Sequence, residues 1–124
     1  AERFYVIGMG YLPEGWTCAF RKSLSGRCFS GRRHIDGPKP TTRKSLYIWL
    51  HECAHAHLHG SDCGTKKHVR EMEAEQWAHA KMREHGVPVP RSMTKRAKNY
   101  VARKIKQAGA RAKIDPAARR FARV

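Results

Sequence analysis

The sequence predicts an α+β fold: a small antiparallel sheet packed on a motif-bearing helix and a second helix, followed by a basic helical C-terminal segment. Three observations carry that expectation. The first 40 residues hold short β-prone runs broken by Gly and Pro. The apolar period then switches from two to 3.6 at Thr41-Thr42. The last 34 residues keep the helical period but carry 12 Lys and Arg against the single acid Asp115.

Taken in order, Phe4-Tyr5-Val6-Ile7 is β-prone and stops at Gly8 and Gly10, so it is expected to form a strand. Arg27 to Asp36 alternates around Cys28-Phe29 and His34-Ile35 and ends at Gly37-Pro38-Lys39-Pro40, giving one or two further strands. Thr41-Thr42 offers an N-cap. From there Tyr47, Ile48, His51, Ala54, His55 and Leu58 share one face of a helix that stops near Gly60. A loop through Asp62 and Gly64 leads to a second helix, Lys66 to Glu84, with Gly86 at its C-terminal stop. Val87-Pro88-Val89-Pro90 cannot continue a helix and marks a boundary between residues 1–87 and 88–124. Beyond it, Met93, Ala97, Tyr100, Val101, Lys104 and Ala108 make one helical stripe. Asp115-Pro116, an N-cap followed by Pro at the first helical position, opens a short last helix.

Composition narrows the function classes. A chain of 124 residues with 26 Lys+Arg, 10 Asp+Glu and a net charge of +16 supports one small unit with a basic appendage. At 40% hydrophobic and 29% charged it is too apolar for full disorder and too polar for a membrane-embedded protein. No apolar run approaches the length of a bilayer span, and no charged-then-apolar leader opens the chain, so a cytoplasmic location is expected. Cys18, Cys28, Cys53 and Cys63 form no CxxC pair and are expected to be thiols. The charge calls for a polyanionic partner such as nucleic acid. Arg91, Lys95, Arg96, Lys98, Arg103, Lys106, Arg119 and Arg120 are the candidate phosphate contacts.

Chemistry concentrates in His51-Glu52-Cys53-Ala54-His55, an HExxH. Two His four apart on a helix stand about 40° from each other and can share one Zn²⁺. Glu52, about 100° round from His51, is placed to take a proton from water as general base. A third protein ligand is needed if zinc is to keep an open position. Glu73 shares a face with Val69, Trp77 and Ala80, while Glu71 and Glu75 are expected about 160° away. Glu73 is therefore the preferred third ligand, with His68 and then His59 as alternatives. Tyr47, one turn before His51, and His59 are candidate donors to a developing oxyanion.

The helix Ser45-Leu-Tyr-Ile-Trp-Leu-His51-Glu-Cys-Ala-His55-Ala-His-Leu-His59-Gly60, followed by Glu71-Met-Glu73-Ala74-Glu-Gln-Trp77-Ala78, resembles the small bacterial and phage zinc metallopeptidases of the ImmA/IrrE type. It is also similar to the peptidase domains of ArdC antirestriction proteins and to SprT-like proteases, although His68 is followed by Val69 and not by the Gly of the SprT pattern. The resemblance covers about half the chain, roughly Arg27 to Ala80. It implies a zinc metallopeptidase of the minimal gluzincin kind over residues 1–87, with His51, His55 and Glu73 as ligands and Glu52 as base. The ImmA/IrrE pattern continues with a further apolar helix, whereas this chain turns at Pro88 into its basic segment. The combined expectation is a phage or mobile-element peptidase acting on a DNA-associated protein such as a DNA-bound regulator. The alternatives are a basic nucleic-acid-binding protein whose metal site is structural or inactive, and an interaction or inhibitor protein with an acidic partner.

Overall fold

A computed structural model describes residues 2–60 and 63–123; Asp62, placed in a loop by the sequence, lies outside them. Among these residues five α-helices and a three-stranded sheet make an α+β fold with a helical C-terminal segment. The chain opens with helix α1 (Glu2–Gly10), where Phe4-Tyr5-Val6-Ile7 was expected to be a strand. Phe4, Ile7 and Tyr11, spaced three and four apart, pack on the same apolar cluster. Burying that helical stripe outweighs the β propensity of the individual residues. Gly8 makes the docking possible. Trp49 Nε1 donates to its carbonyl at 2.9 Å, and a Cβ there would stand 2.7 Å from Pro40 Cγ.

Strands β1 (Thr17–Arg21), β2 (Arg27–Phe29) and β3 (His34–Pro38) form the sheet in the order β1-β3-β2. β2 pairs antiparallel with β3 and β1 parallel with it, so the sheet is mixed and not wholly antiparallel as expected. With 4–7 helical, the strand after it enters on the far side of β3 and runs in the same direction. Ile35 at the centre of β3 is fully buried and packs with Trp49 and Cys53, joining the sheet to the helix behind it.

That helix, α2 (Arg43–Leu58), begins where the sequence predicts, with Thr42 and Ser45 forming a reciprocal capping box. Leu46, Tyr47, Ile48 and Leu50 face Ala78 and Met82 of α3 (Lys67–Glu84) in the main core cluster. α4 (Arg91–Ala108) and α5 (Pro116–Ala122) are packed against α3. Met93 enters the main cluster, and Val101, Ile105, Ala118 and Ala122 close a second one with Met72. His79 of α3 reaches Thr94 at 3.0 Å, and His68 Nε2 accepts from Asp115 N at 3.1 Å, so polar contacts tie the same faces. Among the described residues no helix is long and apolar enough to cross a membrane.

Two outcomes follow from this packing. Gly8→Ala should lower stability by about 1–3 kcal/mol, because the Pro40 ring cannot yield as a flexible side chain would; chemical denaturation with an unchanged midpoint would contradict the docking of α1. The four cysteines are free. Burial pushes the Cys53 thiol far above its ordinary range, while hydrogen bonds from Thr65 lower that of Cys63. Timed alkylation at neutral pH, read by mass spectrometry, should therefore modify Cys63 well before Cys53.

Candidate metal centre

α2 brings His51 and His55 to one face, as their spacing requires, with their Nε2 atoms 3.2 Å apart. The carboxylate that meets them is Glu71. Its Oε2 lies 3.1 Å from His51 Nε2 and 3.2 Å from His55 Nε2. Glu73, the preferred ligand on the sequence, instead lies on the outer side of α3, 43% exposed, with its Oε1 3.0 Å from His59 Nε2. The reason is the stripe that α3 buries. His68, Glu71, Glu75, Ala78 and Met82 fall within about 80° of one another and face α2 or α4. Trp77, used to orient the helix from sequence, packs outward on Tyr11 and His57.

The three donor atoms of His51, His55 and Glu71 thus form a nearly equilateral triangle. A tetrahedral ion with bonds of about 2.1 Å holds neighbouring donors about 3.4 Å apart, so the donor set suits zinc in kind and in spacing. Charge makes the same demand. Glu52, Glu71 and Glu75 are all buried, and they converge on two imidazoles, with no Lys or Arg ion-paired to them among the described residues. Buried carboxylates need a cation, supplied by protonated imidazole or by a metal. Burial alone would favour neutral His51, but the charge of Glu75 and hydrogen bonds to Glu71 and Glu75 raise its pKa well above the ordinary value. Burial likewise would raise Glu71, yet the hydrogen bonds and charge of His51 and His55 hold it well below the usual carboxylate range.

Each imidazole has support on its far side. His51 Nδ1 faces Glu75 Oε1 directly. His55 Nδ1 meets His59 Nδ1 at 3.0 Å, and His59 passes the contact on to Glu73. If His55 Nδ1–H donates to His59, His59 Nε2–H to Glu73 and His51 Nδ1–H to Glu75, both Nε2 atoms facing Glu71 carry lone pairs, an arrangement that a shared metal ion would reconcile with that carboxylate. His59, expected as an oxyanion donor, thus has both ring nitrogens engaged, with His55 and with Glu73. Tyr47 also differs from its expected role. Its hydroxyl is turned to His79 Nδ1 at 3.0 Å and the Glu75 carbonyl at 3.4 Å. His68, the alternative third ligand, is engaged with Asp115.

Glu52 borders the centre; one donor atom each of His51, Glu52 and His55 lies within 4.8 Å of the others. Burial raises the Glu52 pKa, partly offset by His51 and His55. Gly26 leaves room for it: a Cβ at Gly26 would stand 2.7 Å from Glu52 Cγ and 3.0 Å from the Asp36 carbonyl. Both residues line a cleft of about 540 Å³ that also exposes His51, His55 and Glu71. Tyr100 of α4 stands on its wall, ring centroid 6.2 Å from that of His51. Burial and the neighbouring carboxylates push its hydroxyl up to about 12, so it stays a proton donor at neutral pH. Its place in the apolar stripe of α4 masked this role in the sequence. The basic candidates Arg91, Lys95, Arg96, Arg103, Lys106, Arg119 and Arg120 are exposed, and Lys98 lies half-buried over Phe121.

Metal analysis of purified protein by inductively coupled plasma mass spectrometry checks the ligand set. About one zinc per chain is expected, lost in Glu71→Ala and His51→Ala and retained in Glu73→Ala; the reverse ranking of the two Glu variants would restore the assignment made from sequence. Comparison with protein-family models, with curated proteins and with solved structures finds nothing that matches this chain.

Proposed function

We propose that the chain is a zinc-dependent peptidase whose ligands are His51, His55 and Glu71. The observation that carries this reading is the convergence of three donor atoms at 3.1–3.2 Å beside Glu52, at the floor of an open cleft. His51, His55 and Glu71 would hold the ion, which would supply Lewis acidity toward a carbonyl and lower the pKa of water toward neutrality. Glu52 takes a proton from that water as the water oxygen bonds to the amide carbon. The same carboxyl then delivers it to the nitrogen as the C–N bond breaks. The Tyr100 hydroxyl donates to the oxyanion that develops between these two events, the role assigned from sequence to Tyr47 or His59. His59 and Glu73 keep His55 in the tautomer that offers Nε2, as Glu75 does for His51.

Expressed and zinc-loaded, wild type should hydrolyse a peptide or unfolded-protein substrate. Glu52→Gln should lower kcat by about 10²–10⁴ while keeping its zinc. Zinc retained with no difference between the two proteins would point instead to a structural site.

The exposed bases of α4 and α5 support a second component, proximity to nucleic acid and a DNA-associated protein as substrate. Free thiols suit the reducing cytoplasm in which such a partner is met. Met93, Val101 and Ile105 belong to the core, so removing the basic segment would unfold the chain rather than isolate its charge. Charge removal at Arg91, Lys95 and Lys106 is the cleaner test: the slope of log affinity for duplex DNA against log salt should fall by about 2–3. An unchanged slope would remove α4 from any nucleic-acid contact.

A further inference from the structure

The cleft has an acidic floor and a basic rim. Glu52 and Glu71 lie at the His pair, whereas Arg27 on β2 and Lys67 and Arg70 on α3 line the approach. Among the described residues none of these three cations makes an ion pair. Lys104 of α4 extends the rim beside Lys67. Burial, and then the charge of Lys67, lower its pKa, and the charge of Glu71 offsets this only in part. Such a rim repels itself, and an anionic occupant relieves the repulsion.

Charge alone would suit a nucleic-acid strand as well as an acidic polypeptide. β2 separates the two. It is an edge strand of the sheet, and Gly26, Arg27 and Cys28 form the cleft wall along it. An unpaired strand edge offers alternating main-chain N–H and C=O groups that an extended polypeptide can match by adding a strand, whereas a sugar–phosphate backbone offers acceptors to the N–H groups but no alternating donors to the C=O groups. Arg27 sits on that edge, where a cross-strand neighbour comes within about 5 Å.

We propose that the cleft selects an extended acidic peptide, laid along β2, with its carboxylate side chains met by Arg27, Lys67 and Arg70. This rests on the peptidase reading only for what happens after binding; the recognition itself is independent of hydrolysis.

The test uses zinc-loaded full-length Glu52→Gln protein and fluorescence anisotropy with fluorescein-labelled 12-residue peptides. One peptide alternates Glu and Asp with Ala, the other carries Gln and Asn at the same positions. At low salt the acidic peptide should bind at least tenfold tighter. Adding Lys67→Gln and Arg70→Gln should remove about tenfold of that affinity and leave the neutral peptide unchanged. Lys22→Gln with Lys44→Gln, which removes the same charge away from the cleft, should change it less than twofold. Equal binding of the two peptides overturns the proposal, as does an equal loss in the Lys22/Lys44 control, which would mean attraction to net charge alone. A single-stranded oligonucleotide of matched charge that displaces the peptide, and loses affinity with Lys67 and Arg70, also overturns it in favour of nucleic acid in the cleft. Selective binding of the acidic peptide by a protein whose wild type cleaves nothing would sustain this inference and remove the peptidase reading.

Discussion

The contact between α2 and α3 carries three buried carboxylates, Glu52, Glu71 and Glu75, against the imidazoles of His51 and His55. No other interaction in the molecule asks so much of its surroundings. A buried carboxylate is tolerated only where a cation and hydrogen bonds meet it at close range, and a shift of an ångström would leave one unpaired. The apolar packing of Leu46, Leu50, Ala78 and Met82 holds the two helices at that separation. The reciprocal cap at Thr42 and Ser45 fixes where α2 begins, and thereby which of its faces the two His occupy. The site is thus set by the rigidity of two helices and not by loops, which favours a preorganised donor set.

Around that contact the rest of the fold encloses the cleft. The sheet covers one side of α2 through Ile35 and Trp49, and its edge strand forms a wall of the cleft. α4 closes the other side. Its apolar stripe is used twice, since Val101 and Ile105 bury the helix against α3 and α5 while Tyr100 lines the cleft. The basic segment is therefore part of the site's construction as well as a charged surface. An appended tail could supply charge, but it could not have placed Tyr100 near His51.

Much of this was legible in the residues. The HExxH spacing, the Thr42 cap, the change of period and the Asp115-Pro116 start all belong to local chemistry, and local chemistry can be read along a chain. The choices that the residues alone did not decide were ones that depend on a neighbour. Glu73 shares its helical face with Val69 and Trp77, but Val69 packs on the cluster of α4 and α5 and Trp77 on Tyr11 and His57, whereas the face toward α2 carries Glu71 and Glu75, which meet the His pair. A carboxylate pair at i and i+4, placed opposite a His pair at i and i+4, was the available signal; hydrophobicity pointed the other way. Phe4 to Ile7 was misread for the same reason, because the helix there is decided by the cluster that Phe4, Ile7 and Tyr11 join.

The placement of charge ties these levels together. Ten acidic residues share the chain with 26 basic ones, and among the described residues Glu52, Glu71 and Glu75 lie in the interior, where their field is least screened. The surface is left more positive for it. An approaching polyanion is attracted from a distance by that surface, passes the unpaired cations of the rim, and then meets carboxylates that would repel it. Only a cation on the floor, between His51, His55 and Glu71, reverses that last repulsion. A zinc ion held there, as proposed, would do more than activate water: it would also make the acidic floor compatible with an acidic peptide.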